Sequence, residues 1–121
     1  MSNYAIFVVD DETVAREGVA LALQKEYRVR AFESAETFLA AIDDDPPDLV
    51  LLDVGLPGMS GLEALEQVKA RQPDTIVIMI TAYEDVMTVI KAMKLGAYDY
   101  VVKPLKMEPL ITNVRVALET I

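Results

Sequence analysis

Three aspartates stand at the ends of two apolar segments that are predicted to form neighbouring strands. Asp10 and Asp11 follow the segment 4–9, and Asp53 ends the segment 49–53. In open parallel sheets, ligands bind beyond the carboxyl ends of the strands, at the point where the strand order reverses. With the strand order 2-1-3-4-5, this point lies between the first and third strands. We therefore expect the three carboxylates to converge on one crevice.

A cluster of three carboxylates is unfavourable unless a cation offsets their repulsion. Two unit charges 4 Å apart repel each other by about 4 kcal/mol at an effective dielectric constant of ~20. Mg²⁺ suits such a site, because it binds one or two carboxylates together with water and phosphate oxygens. Helix N-capping would explain Asp10 and Asp11 equally well, since acidic residues often cap helices. The third carboxylate, that of Asp53, favours the metal site.

Two further polar residues, Thr81 and Lys103, stand at the ends of the predicted fourth and fifth strands. A threonine hydroxyl can donate a hydrogen bond to an oxygen, and a lysine ammonium can serve as a point charge for phosphate. Each residue alone is better explained as an ordinary strand-end threonine or a solvated surface lysine. Together with the three aspartates, they indicate a site for a phosphate group beside a cation.

The elements that would position these residues alternate along the whole chain. Segments typical of strands occur at residues 4–9, 28–32, 49–53, 75–81 and 99–102, and helical patterns follow each of them. Parallel strands need crossover connections, which are right-handed, so we predict an α/β fold with helices on both faces of the sheet. The prediction is a doubly wound, five-stranded parallel sheet of order 2-1-3-4-5 with five helices, in one domain spanning residues 1–121.

Several sequence signals indicate the ends and the apolar faces of the helices. Ser34 suits a helix N-cap, Ser60 and Glu63 form a capping-box pattern, and Gly96 suits the end of the fourth helix. The fourth helix is expected to have an apolar face made of Val86, Val89, Ile90 and Met93. The last helix is expected to have one made of Leu110, Val114, Ala117, Leu118 and Ile121.

The composition excludes several classes of function. The 121 residues include 11 Lys and Arg against 20 Asp and Glu, which gives a net charge of −9. Such an acidic domain has no electrostatic attraction for nucleic acid, so we expect no direct contact with it. The absence of cysteine and histidine excludes disulfides, thiolate or imidazole metal ligands, and a phosphohistidine. Short apolar runs and the lack of a signal-peptide pattern predict a cytoplasmic protein without membrane contact.

Four motifs together resemble the receiver domain of bacterial two-component response regulators. They are Val8-Val9-Asp10-Asp11-Glu12, Leu51-Leu52-Asp53 followed by Pro57 and Gly61, Ile80-Thr81-Ala82, and Gly96-Ala97-Tyr98-Asp99-Tyr100 followed by Lys103-Pro104. Each motif is weak alone, but their order and spacing are specific and cover essentially the whole chain. The resemblance implies a flavodoxin-like fold of the receiver type. Thr81-Ala82-Tyr83 and residues 92–100 further resemble receivers of NtrC-like transcriptional activators.

The resemblance implies a phosphoacceptor and a metal site. Asp53 would accept the phosphoryl group. Asp11 and Asp53 would bind Mg²⁺ directly, whereas Asp10 would act largely through water. The backbone carbonyl of Gly55 would complete the protein ligands, and Mn²⁺ is the alternative ion. As in the family, these residues would catalyse the chain's own phosphorylation and slow dephosphorylation without making it a turnover enzyme.

The resemblance also implies roles for the residues at the ends of the fourth and fifth strands. Lys103 would bind one phosphoryl oxygen, and Thr81 would donate a hydrogen bond to another. The peptide bond between Lys103 and Pro104 is expected to be cis, although only about 5–6% of X–Pro bonds are cis. Tyr100 resembles the aromatic switch residue that turns inward when Thr81 moves, although a half-buried strand aromatic explains it equally well.

The partners that the resemblance implies are a sensor histidine kinase and an output domain or downstream protein. The kinase would donate the phosphoryl group, and the output would be control of transcription. The phosphorylated domain would use the face formed by helix four, strand five and helix five. The same face would support a phosphorylation-dependent homodimer.

Two other interpretations compete with this one. The first is a phosphatase of the haloacid dehalogenase type with Asp10 as its nucleophile. The chain is short for that fold, and Glu12 stands where a second aspartate is expected. The second is a receiver that only binds partners and never carries phosphate, which the complete set of acidic residues disfavours.

Overall fold

The computed structural model describes residues 3–82 and 86–121, and in them five strands alternate with five helices. The strands are β1 (Ala5–Val9), β2 (Arg28–Phe32), β3 (Leu49–Asp53), β4 (Ile76–Thr81) and β5 (Asp99–Val102). The helices are α1 (Thr13–Leu23), α2 (Ala35–Ile42), α3 (Gly61–Arg71), α4 (Val86–Lys94) and α5 (Met107–Leu118). The strands pair in parallel in the order β2-β1-β3-β4-β5, which confirms the predicted fold class.

The two central strands, β1 and β3, are buried along their whole length. This is expected of a parallel sheet covered by helices on both faces, and it explains why these strands are apolar without alternation. Successive side chains point to opposite faces, so the strands feed two hydrophobic cores. One core contains Phe7, Val9, Val50 and Leu52 and packs against α2 and α3. The other contains Ile6, Val8, Leu49 and Leu51 and packs against α1 and α5.

The predicted helix termini are present, with one difference in the capping box. The hydroxyl of Ser34 accepts a hydrogen bond from the N–H of Thr37 at 3.2 Å, and that of Ser60 accepts one from the N–H of Glu63 at 3.2 Å. The carboxylate of Glu63 bonds to the Ser60 hydroxyl at 3.4 Å, whereas a full capping box would use the Ser60 N–H. Gly96, which follows α4, has a φ of 105°, as a helix-ending glycine should.

Two predicted apolar faces differ from the structure. In α4, Ala92 is the buried residue, whereas Val86, Ile90 and Met93 are 67%, 41% and 44% exposed. The predicted face of this helix therefore lies mostly at the surface. Ile121 is not part of the buried face of α5, because the helix ends at Leu118 and Ile121 is 63% exposed.

Gly61, the first residue of α3, lies against the backbone of the loop that follows β3. Its N–H donates a hydrogen bond to the carbonyl of Val54 at 3.1 Å. A Cβ atom at this position would overlap the carbonyl oxygen of Asp53 and lie 2.7 Å from the Cα of Val54. These are backbone atoms, so no side-chain rotation can relieve the overlap. Only glycine lets the chain pass this close to Asp53.

We expect Gly61→Ala to lower the free energy of unfolding by about 1–3 kcal/mol, because the added methyl group displaces backbone. Urea denaturation followed by circular dichroism measures this loss. Gly18→Ala in α1 is the matched control, since a Cβ atom there meets nothing within 4 Å. Alanine is about 1 kcal/mol better than glycine in a helix interior, so the control should gain stability. Equal stability of Gly61→Ala and the wild type would contradict the steric argument.

Candidate functional site

The sheet places four polar residues at the carboxyl ends of its strands. Asp53 and Thr81 are the last residues of β3 and β4. Asp10 follows β1, and its N–H donates to the carbonyl of Phe32 at 3.1 Å. Lys103 follows β5, and its N–H donates to the carbonyl of Thr81 at 2.8 Å. These two hydrogen bonds continue the sheet pairing beyond the strand ends, so the backbone of the site is as fixed as the sheet.

The structure brings the three aspartates together, as the strand order predicts. Asp10, Asp11 and Asp53 each contribute a carboxylate oxygen to a cluster whose atoms lie within 4.8 Å of one another. Asp10 and Asp53 are only 2% and 5% exposed, whereas Asp11 is open to solvent. A set of oxygen donors with one open side suits a hard divalent cation such as Mg²⁺, which keeps several water ligands.

The ammonium group of Lys103 contacts three carboxylates, those of Asp10, Glu12 and Asp53. Its Nζ is 3.1 Å from Asp53 Oδ2, 3.2 Å from Asp10 Oδ2 and 3.0 Å from Glu12 Oε1. The Lys103 side chain is 18% exposed, so its contacts with the buried Asp10 and Asp53 are largely shielded from water, whereas the contact with Glu12 is open to solvent. One positive charge therefore interacts with several negative ones, and the cluster keeps a net negative charge.

A cavity of about 240 Å³ opens above Asp53. It is lined by Asp11, Glu12, Asp53, Val54, Gly55, Thr81, Ala82 and Lys103. The N–H of Gly55 donates to Asp53 Oδ1 at 3.0 Å, while Lys103 holds Oδ2 of the same carboxylate. The carboxylate is thus oriented by one donor on each oxygen, and it borders a space with room for a phosphoryl group.

The surroundings of Asp53 disfavour its charged form. Burial raises the pKa of this carboxyl, and the nearby charge of Asp10 raises it further. The N–H of Gly55 and the ammonium of Lys103 lower it without reversing the shift. Burial alone would lower the pKa of Lys103, but its hydrogen bonds to Glu12, Asp53 and Asp10 raise it well above the usual value. Lys103 is therefore charged at neutral pH, and a cation beside Asp53 would stabilise the charged form of this carboxylate.

The remaining predicted site residues lie as follows. The peptide bond between Lys103 and Pro104 is cis, which is the geometry that the resemblance implies. Tyr100 is 37% exposed and lines a separate cavity of about 200 Å³ with Val86, Val89 and Ile90. It therefore lies on the surface between β5 and α4, outside the cavity of Asp53. Tyr83 lies outside the described residues.

Two residues of the site were not predicted as such from the sequence. Glu12 contributes a carboxylate to Lys103, and Arg16 donates from Nη1 to the carbonyl of Asp10 at 2.9 Å. The signal for Glu12 was its position next to Asp11 at the end of β1. The contact of Arg16 depends on the orientation of α1 relative to β1, which the residue pattern alone does not specify.

Comparison with known proteins identifies the family. The sequence model of the response regulator receiver domain family matches residues 6–115 of this chain. The chain is 37% identical over 116 residues to the regulatory protein AtoC of Escherichia coli, covering 94% of this chain and 25% of AtoC. It is 37% identical over 119 residues to the nitrogen assimilation regulatory protein NtrX of Azorhizobium caulinodans, covering 96% of this chain and 26% of NtrX. The chain thus spans about a quarter of these relatives.

Solved structures give the same result. A CheY-like receiver domain protein from Methanospirillum hungatei superposes with a TM-score of 0.94 at 29% identity, covering 98% of this chain and 96% of that one. The receiver domain of NtrX from Brucella abortus superposes with a TM-score of 0.90 at 39% identity, covering 96% and 99%. None of the helices in the described part of the chain combines the length and apolar character needed to cross a membrane.

We expect Asp53→Asn to raise the free energy of unfolding by about 1 kcal/mol at neutral pH without divalent ions. The amide replaces a buried carboxyl group whose charged form the fold disfavours. The native pKa of Asp53 lies above the usual 3.8, so the native state binds the proton more tightly than the unfolded chain. The stability of the wild type should therefore rise, relative to the variant, as pH falls through that native pKa.

Urea denaturation at pH 7 and at pH 4 measures both effects. Asp44→Asn is the matched control, because Asp44 is exposed and lies in the loop after α2. Mg²⁺ should stabilise the wild type more than Asp53→Asn, since a ligand of the native state adds RT ln(1 + [L]/Kd). Lower stability of Asp53→Asn at pH 7 would show that the carboxylates do not repel one another as described.

Proposed function

Because the chain belongs to the response regulator receiver domain family, we propose that Asp53 accepts a phosphoryl group and that the modified domain switches a partner-binding face. Its relatives are transcriptional regulators of two-component systems, and aspartate phosphorylation is the general function of receiver domains. The observation that carries the proposal is the buried carboxylate of Asp53, held 3.1 Å from Lys103 beside Asp10 and Asp11.

In the proposed reaction, an oxygen of Asp53 attacks phosphorus as a carboxylate nucleophile. The bond between phosphorus and the donor breaks, and the leaving group takes its electron pair. Such transfers depend mainly on positioning and on charge stabilisation. The N–H of Gly55 and the ammonium of Lys103 supply the positioning, with one donor on each carboxylate oxygen. Lys103 also offsets the charge that develops on the phosphoryl oxygens, and Thr81 is proposed to donate to another of them.

The residues proposed to hold a metal ion are Asp11 and Asp53 as direct ligands, Asp10 largely through water, and the carbonyl of Gly55. When bound, Mg²⁺ would neutralise charge on the nucleophile and the phosphoryl oxygens, and Mn²⁺ would serve as the alternative ion. The oxygen donors and the raised pKa of Asp53 support a cation at this place.

The proposed donor is a phosphohistidine of a sensor histidine kinase, since the chain has no histidine of its own. The proposed output is control of transcription in the cytoplasm, through an output domain or a downstream protein. This chain spans only about a quarter of relatives that are named as regulators, so the output would belong to the remainder of such a protein. The net charge of −9 supports the proposal that any DNA contact lies outside this domain.

The proposed switch couples Thr81 and Tyr100 to the face formed by α4, β5 and α5. Val86, Ile90 and Met93 of α4 are exposed apolar residues, and Val86 and Ile90 line one cavity with Tyr100. Exposed apolar groups of this kind are typical of binding surfaces. We propose that they contact the partner and form the homodimer of the phosphorylated state.

We expect acetyl phosphate with Mg²⁺ to add the mass of one phosphoryl group to the intact protein. Asp53→Asn and removal of Mg²⁺ by EDTA should each abolish the addition, because the nucleophile or the required cation is then missing. Asp44→Asn, with the same charge change in an exposed loop, should behave as the wild type. Intact-protein mass spectrometry measures all four samples.

Two results would contradict this assignment. Steady phosphatase turnover that survives Asp53→Asn and disappears in Asp10→Asn would favour a phosphatase with Asp10 as the nucleophile. Failure of the wild type to gain any phosphoryl mass would favour a domain that only binds partners.

We expect beryllium fluoride, a phosphate mimic, to convert the protein from monomer to dimer in sedimentation velocity experiments with Mg²⁺. Ile90→Glu should prevent dimerisation, because it places a charge in the apolar part of the α4 face. Leu21→Glu is the matched control. Like Ile90, Leu21 is an exposed aliphatic residue, with 60% of its surface accessible, but it lies on α1. A sedimentation coefficient that the mimic leaves unchanged would count against the dimer.

A further inference from the structure

We propose that Glu12 competes with the phosphoryl group for Lys103 and so limits the phosphorylation of Asp53. Its carboxylate occupies the position on the ammonium group that a phosphoryl oxygen would take. The inference rests on the proposed function, because it assigns a regulator to the same site.

The argument begins with the hydrogen-bonding capacity of Lys103. An ammonium group has three N–H donors and no acceptor. Its Nζ lies 3.1 Å from Asp53, 3.2 Å from Asp10 and 3.0 Å from Glu12, so each donor has one carboxylate partner. A phosphoryl oxygen can therefore bind Lys103 only if one of these carboxylates leaves.

Exposure identifies the carboxylate that leaves. The side chains of Asp10 and Asp53 are 2% and 7% exposed, whereas that of Glu12 is 66% exposed. Exposed ion pairs contribute little to stability, because water solvates the separated charges well. Separating a buried carboxylate from the cation that it contacts costs several times more. Glu12 therefore gives way first, and the buried carboxylate of Asp10 still holds Lys103 in place.

Electrostatic repulsion acts in the same direction. A phosphoryl group carries a charge of about −1.5 to −2 at neutral pH. Glu12 lines the same cavity of about 240 Å³ as Asp53 and Lys103, so its negative charge faces the place where that group would lie. Loss of the contact with Lys103 and like-charge repulsion both raise the free energy of the phosphorylated state relative to the free one.

A role in positioning Lys103 would have the opposite sign. If Glu12 aligned the ammonium group for the reaction, its removal would weaken binding of phosphate and slow phosphorylation. The competition described here predicts that removal strengthens binding and accelerates phosphorylation. The direction of the change therefore separates the two roles, and a general loss of structure would not produce a gain.

The experiment compares the wild type with Glu12→Gln, Glu12→Ala and the control Glu17→Gln. Glu17 lies on the exposed side of α1, so its substitution changes the net charge equally without touching Lys103. The affinity for beryllium fluoride is measured by NMR titration at a Mg²⁺ concentration that saturates each variant. The rate of phosphorylation by acetyl phosphate is measured by intact-protein mass spectrometry.

Both Glu12 variants should bind the mimic about two- to fivefold more tightly, as expected from the loss of one exposed ion pair. They should also gain the phosphoryl mass faster, whereas Glu17→Gln should match the wild type. Equal or weaker binding in the Glu12 variants, with normal phosphorylation of the wild type, would overturn this inference alone. Absence of phosphorylation in the wild type and all variants would overturn the proposed function, and the inference with it.

Discussion

The mutual repulsion of the aspartate carboxylates at the end of the sheet is the constraint on which this structure depends. One carboxylate oxygen from each of Asp10, Asp11 and Asp53 lies within 4.8 Å of the other two, and Lys103 neutralises only part of the charge. Burial raises the pKa of Asp53, and the nearby negative charge of Asp10 raises it further. A cation would relieve the imbalance, because it adds the missing positive charge. Phosphorylation would increase the need for that cation, because the acyl phosphate carries a charge of about −1.5 to −2 in place of the single charge of the carboxylate.

Such a cluster persists only because the rest of the fold holds it rigidly. The completely buried strands β1 and β3 carry Asp10 and Asp53, and apolar cores on both faces of the sheet surround these strands. Gly61 lets the start of α3 approach the backbone of Asp53 and Val54 more closely than any residue with a Cβ atom would allow. Hydrophobic burial thus supplies the free energy that the unfavourable carboxylate cluster costs, as is common where function and stability conflict.

The sequence was sufficient to predict the sheet and the core of the site, for a reason that individual residues make clear. Asp10, Asp53 and Lys103 each end an apolar segment, and a parallel sheet brings all such ends to one edge. The position of Ile121 was not predictable in this way, because apolar spacing does not show where α5 ends. The cis bond before Pro104 followed from family resemblance alone. The contact of Glu12 with Lys103 depends on side-chain conformations that no spacing rule describes.

The unequal anchoring of β5 and α4 bears on how a change at Asp53 could reach the surface. Backbone pairing ties β5 to β4 from the pair of Ile78 with Asp99 to the pair of Thr81 with Val102. The hydrogen bond from the N–H of Lys103 to the carbonyl of Thr81 extends this pairing. In α4, by contrast, Ala92 is the buried residue, and the side chains of Val86, Met87, Ile90 and Met93 are exposed. Elements with little buried apolar surface are the least costly to displace. A shift from 1:99 to 99:1 between two states requires about 5.5 kcal/mol of differential stabilisation. That amount is attainable at a buried, charged site, and α4 is the element on which it would have the largest structural effect.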